Sequence, residues 1–77
     1  MQVNLFEVEK NGSCEFSFCK NSCKQKELIA YGFITGVNIE VVQKTKHGMV
    51  VQVLDGVFSL NRQLASEIIV EVNKHEQ

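Results

Sequence analysis

The sequence contains no proline and no tryptophan, is nearly neutral, and has no long apolar run. Each absence removes a class of protein. No proline-rich, repeated or low-complexity stretch separates one part of the chain from another, so residues 1–77 read as a single domain. Eight Lys plus Arg against nine Asp plus Glu give a net charge of -1, which cannot supply the positive field of a DNA-binding module. Aromatic residues are only 8% of the chain, too few for a base-stacking stripe, so nucleic acid is not an expected partner. No segment approaches the ~18 apolar residues of a membrane span, so direct membrane insertion is not expected. The opening Met1-Gln2-Val3-Asn4 lacks the basic and apolar regions of an export signal, which gives the expectation of a cytoplasmic protein. Three cysteines are an odd number for a disulfide framework, and reduced thiols are the default.

What is present is a pattern of short segments. An apolar content of 44% is high enough for a packed core and excludes a disordered tail. Residues 3–9 read as an opening strand, and Asn11-Gly12 as a turn. Cys14, Phe16 and Phe18 then alternate with Ser13, Glu15, Ser17 and Cys19. This period of two places Cys14, Phe16 and Phe18 on a buried face and Cys19 on the outer one. Ser22-Cys23-Lys24-Gln25 matches a capping box, with Asn21 as the alternative N-cap. It opens a predicted helix over about 22–31, in which Leu28 and Tyr31 share a face and Gly32 follows as a left-handed cap. Val37, Ile39 and Val41 restore the two-residue period, and Lys46-His47-Gly48 is a turn. Met49, Val51 and Val53 alternate with Val50, Gln52 and Leu54, and Asp55-Gly56 reads as a hairpin turn. Residues 57–60 form the return strand, a short helical turn over about 61–66 follows, and 68–72 form the last strand. Residues 74–77 are expected to fray.

The expected architecture is mainly β: a small barrel of five to six strands, with one inserted helix plugging an open end. Edges left by imperfect closure would allow weak homo-oligomers, with Leu54 and Val50 on an outward strand face.

One stretch is more specific. Glu27-Leu28-Ile29-Ala30-Tyr31-Gly32-Phe33-Ile34-Thr35-Gly36-Val37 resembles the R-L-x-x-(L/M)-G-(L/M)-x-P-G segment of the FeoA family, ferrous iron transport protein A. Later stretches agree in order. Gly48-Met49-Val50-Val51-Gln52-Val53 resembles the family's G-D-P-(V/I)-x-(V/I) strand, and Phe58-Ser59-Leu60-Asn61-Arg62-Gln63-Leu64-Ala65 its (I/L)-x-L-R-x-x-x-A segment. Ile68-Ile69-Val70-Glu71-Val72 is similar to the closing I-x-V strand. Thr35 stands where the pattern has proline, Glu27 where it has a basic residue, and Met49-Val50 where it has Asp-Pro. The resemblance implies an SH3-like barrel and a cytosolic, non-enzymatic accessory of bacterial ferrous iron uptake. The implied partner is ferrous iron transport protein B, a permease with a cytosolic GTP-binding domain. Through it the chain would sit at the inner face of the membrane. The same fold occurs in the C-terminal domain of some iron-dependent transcription regulators.

The chemistry on offer is sparse. No phosphate-binding loop or nucleophile elbow is present, and His47 and His75 make a poor base set. Neither an enzyme nor a cofactor is expected. Cys14, Cys19 and Cys23 follow C-x4-C-x3-C spacing. Cys19 and Cys23 near a helix start are candidates for a metal- or redox-sensitive pair, since soft metals favour sulfur. The competing reading is ordinary reduced thiols. Metal sensing of Fe(II) or Zn through Cys and His is the alternative function. Lys20, Lys24 and Lys26 cluster at the helix start, and Lys44, Lys46 and His47 lie in a turn. They form either a docking patch for an acidic surface or a solvated face. Phe33 and Ile34 follow the helix where a loop would be polar. With Ile29 they are candidates for a hydrophobic contact site, or else they plug the barrel. The expected partner-binding set is Ile29, Phe33, Ile34, Lys24 and Lys26.

Overall fold

Residues 1–72 are described by a computed structural model. The strands are β1 (Gln2–Asn4), β2 (Ser13–Cys19), β3 (Asn38–Thr45), β4 (Gly48–Val53), β5 (Gly56–Asn61) and β6 (Ile68–Glu71); apolar residues alternate through much of β2 to β5, whereas Ile68, Ile69 and Val70 of β6 are all buried. α1 (Ser22–Ala30) lies between β2 and β3, and α2 (Arg62–Glu67) between β5 and β6. All pairings are antiparallel, in the order β1-β6-β2-β3-β4-β5. This is the mainly β small barrel that the segment pattern predicts, and the SH3-like barrel that the resemblance implies, with the inserted helix and the short helical turn in place. The segment 74–77 and His75 lie outside the described residues.

The opening strand is shorter than the sequence suggests. It stops at Asn4, and Leu5–Glu7 forms a 3-10 turn in which the Val8 N–H donates to the Leu5 carbonyl at 3.0 Å. The reason is the adjacent pair Leu5-Phe6, which a two-residue period cannot place on one face. The turn sends Leu5 fully into the core and leaves Phe6 half-buried between Lys44 and Arg62.

A bulge in β2 overturns the expected faces of Phe18 and Cys19. The register against β6 slips between Phe16 and Phe18. One extra residue there reverses the side-chain alternation. Cys14 and Phe16 point inward as expected, but Phe18 turns out and Cys19 turns in, at 43% and 5% exposure.

The β4–β5 turn also differs. Val53 pairs with Gly56, so the turn falls on Leu54-Asp55 and Leu54 takes φ +54°. Leu54 thus projects from the turn rather than from a strand face. Gly56 serves another purpose than a positive φ: a Cβ there would lie 2.6 Å from the Phe58 ring. This register keeps Val53 inward, and a slip of one residue would expose it.

α1 is bounded by local chemistry at both ends. Asn21, not Ser22, is its N-cap, and its Oδ1 accepts from the Cys23 and Lys24 N–H groups at 3.1 and 3.2 Å. Gln25 reaches back beyond the cap and accepts from the Cys19 N–H at 2.9 Å. At the other end Gly32 has φ +102°. Its N–H donates to the Ile29 carbonyl and the Phe33 N–H to the Leu28 carbonyl, both at 3.0 Å. This paired closure brings the residue after the glycine back over the last turn. Phe33 is therefore a core residue, 1% exposed, edge-on to Phe16 and Phe58 at 5.9 and 5.4 Å between ring centroids.

Two substitutions separate these contributions. Phe33→Ala is expected to cost about 3–5 kcal/mol. Asn21→Ala is expected to cost about 1 kcal/mol through the lost cap. Urea unfolding followed by far-UV circular dichroism measures both.

Candidate functional site

The end of α1 carries an unusual amount of exposed apolar surface. Ile29, Tyr31 and Ile34 are each at least half exposed, at 50%, 59% and 53%. Phe18, Leu54 and Val57 are exposed as well. Two hollows organise them. The first, about 270 Å³, is bounded by Phe18, Gln25, Ile29, Ile34 and Thr35. The second, about 320 Å³, lies between α1 and β5 and is bounded by Leu28, Tyr31, Val57, Phe58 and Leu64. Phe33 lines both.

Several elements fix this face. The bulge in β2 turns Phe18 outward beside Ile29 and Ile34. Thr35 donates from Oγ1 to the Ser17 carbonyl at 3.0 Å, which pins the loop after the helix to the bulge. Leu54 at the hairpin tip packs against Gly32, where a Cβ would lie 2.9 Å from Leu54 Cδ1. Tyr31 tilts over Phe58 at 5.5 Å between centroids.

The expected contact residues are thus divided. Ile29 and Ile34 come together on the surface. Phe33 does not join them there: it is the floor beneath, because the glycine closure folds it inward. Lys24 stands at the rim of the second hollow, with Nζ 3.7 Å from Glu27 Oε1. Lys26 is exposed on the same helix. Lys44 is engaged elsewhere, 3.7 Å from Glu9 Oε2 and 5.0 Å from the Phe6 ring centroid.

Sequence reasoning missed Phe18, Tyr31 and Val57 on this face. The strict alternation in 13–19 concealed Phe18, because the bulge leaves no mark in composition. Tyr31 could have been found from its place as the residue before the capping glycine, where the chain is leaving the helix.

The cysteines do not form a site. Cys14 is in the core, and burial pushes its thiol from the usual 9.0 up to about 12. Cys19 is also buried. Burial raises its pKa most, a hydrogen bond from the Asn21 backbone pulls it down, and the Glu67 carboxylate pushes it up. Cys23 is exposed in the first turn of α1. Among the described residues no group of three or more His, Cys, Asp or Glu side chains is placed to hold a metal ion. Nor is any described helix long and apolar enough to cross a membrane.

A small antiparallel barrel of six strands with a short inserted helix belongs to the class of SH3-like domains. The FeoA domain model matches residues 3–72. The chain belongs to the FeoA family. A solved structure of the iron uptake regulatory protein FeoA has a TM-score of 0.80 at 22% identity, covering 92% of this chain and 96% of that one. A FeoA-like protein from Clostridium acetobutylicum gives 0.81 at 21%, covering 99% and 93%. A manganese-dependent transcriptional repressor gives 0.81 at 10% identity, with 94% of this chain matching 42% of that one. Such identities speak for the fold alone. No curated protein matches the chain in sequence.

The thiol environments carry a pH prediction. Cys14 ionises less readily folded than unfolded, so its contribution to stability is complete below pH 9. That contribution is lost as pH rises from there towards about 12, because the unfolded chain releases its proton first. Cys14→Val should therefore show a shallower alkaline loss of stability in urea titrations. In the folded protein a maleimide reagent should modify Cys23 well before Cys14 and Cys19, with all three reacting in denaturant.

Proposed function

We propose that the chain is a non-enzymatic accessory of ferrous iron uptake. It acts by contact with the cytosolic face of a ferrous iron permease that carries a GTP-binding domain. Membership of the FeoA family supports the connection to ferrous iron transport. The name of the structural neighbour, an iron uptake regulatory protein, supports a regulatory role. The observation that carries the contact reading is the apolar face around the end of α1. Exposed large side chains gathered over two adjoining hollows are what a partner's apolar anchors need.

Ile29 and Ile34 supply the apolar contact, and Phe33 fixes the shape of the floor. Lys24 stands at the rim of the face beside Glu27, and Lys26 is exposed on the same helix. Their effect on an acidic partner would be mainly on the rate of association. The sensing alternative gains nothing from the thiols, since Cys19 faces the core while Cys23 faces solvent.

Ile29→Asp and Ile34→Asp are each expected to weaken binding to the purified cytosolic domain of the permease by at least ~10-fold, as hot-spot losses do. Their melting curves should stay close to that of the parent. Lys24→Glu with Lys26→Glu should slow association and flatten its salt dependence in surface plasmon resonance. Undiminished binding by the folded isoleucine variants would refute the reading.

A further inference from the structure

Among the described residues the sheet has two edges, and only one is shielded. β1 is three residues long and bends at once into the 3-10 turn. β5 runs for six residues, Gly-Val-Phe-Ser-Leu-Asn, paired with β4 at every position and without a bulge. It contains no lysine, no other charge and no proline, the usual means by which an edge is kept from pairing.

The direction of its free hydrogen-bonding groups is fixed. The Arg62 N–H donates to the His47 carbonyl at 2.9 Å, just beyond the Gly48–Asn61 pair. In an antiparallel ladder this makes Gly48–Asn61 a pair without mutual hydrogen bonds. Alternation then gives the mutual bonds to Leu60, Phe58 and Gly56. The peptide groups of Val57 and Ser59 point away from β4. No backbone hydrogen bond among the described residues reaches them from another element.

The space beside this edge is a groove. Four consecutive residues, 57–60, line the hollow of about 320 Å³, which marks it as lying along the strand's edge rather than over one face. Its opposite wall is Lys24 and Leu28 of α1, with Tyr31 just past the helix end. An apolar floor lies beneath, with Phe58 between the rings of Tyr31 and Phe33.

We propose that β5 accepts a lone extended peptide segment from a partner protein, added as a further strand along Val57 and Ser59. Alternate apolar side chains of that segment enter the groove against α1. A second copy of this chain does not suit the space. Its own β5 arrives with β4 attached about 4.8 Å behind, and α1 stands where that second strand would lie. The proposal concerns the mode of recognition and holds whether or not the permease supplies the segment.

The test uses the full chain, labelled with 15N, and a capped heptapeptide of alternating leucine and threonine as the probe. Titration should shift the Val57 and Ser59 amides and slow their hydrogen exchange. A probe N-methylated at the positions facing β5 should lose these effects. Ser59→Pro removes an outward N–H without touching the β4 ladder, and should weaken probe binding at least tenfold in a folded protein. Val57→Lys guards the edge by charge and should do the same, and it carries the test if Ser59→Pro does not fold. The proposal is overturned if millimolar probe leaves both amides unmoved, or if the folded variants bind as well as the parent. It is equally overturned if the shifts fall on Ile29 and Ile34 instead. A concentration-dependent dimer of the parent in sedimentation, abolished by Val57→Lys, would assign the edge to a second copy and also overturn it.

Discussion

The hydrogen bond from the Phe33 N–H to the Leu28 carbonyl is the constraint on which much of this molecule depends. It requires Gly32 at φ +102°, a conformation that glycine adopts at little cost. Once made, it ends the helix, reverses the chain and drives an aromatic ring into the barrel mouth. The ring then meets Phe16 on one side and Phe58 on the other, tying β2 to β5 through a residue that belongs to neither. Helix, plug and exposed face are consequences of one local closure.

That dependence is also energetic. α1 has nine residues, fewer than an isolated helix needs to persist in water. Its apolar contribution to the interior is largely Leu28, with Phe33 added by the cap. The apolar residues left outside, Ile29 and Ile34 among them, are not a failure of burial. They are what remains when one helical turn has sent its single inward position to the core.

Much of the fold was legible in the sequence because it rests on local rules. Period-two segments, the capping glycine and the asparagines near turns all mark real features. Gly32 and Asn11 both adopt positive φ, as their positions imply. What was not legible depends on pairing between distant strands. The bulge between Phe16 and Phe18 is set by the register against β6, fifty residues away in the chain. The hairpin falls on Leu54-Asp55 because Val53 pairs with Gly56, where a Cβ would lie 2.6 Å from the Phe58 ring. Of the candidate site, Ile29 and Ile34 could be read from the sequence. Phe33 could have been placed in the core by applying the cap rule one residue further. Cys19 could not, since the same bulge decides it.

The order of strands gives the exposed face a temporal property. β6 is the latest strand in the sequence, yet it sits between β1 and β2. Until Ile68–Glu71 has been synthesised, β1 has no neighbour and β2 lacks one of its two. A helix this short does not hold its place on an incomplete barrel. The apolar face around α1 is therefore incomplete until Ile68–Glu71 has joined the sheet. Completion of the face therefore waits on contacts between residues far apart in the sequence, the slowest kind to form.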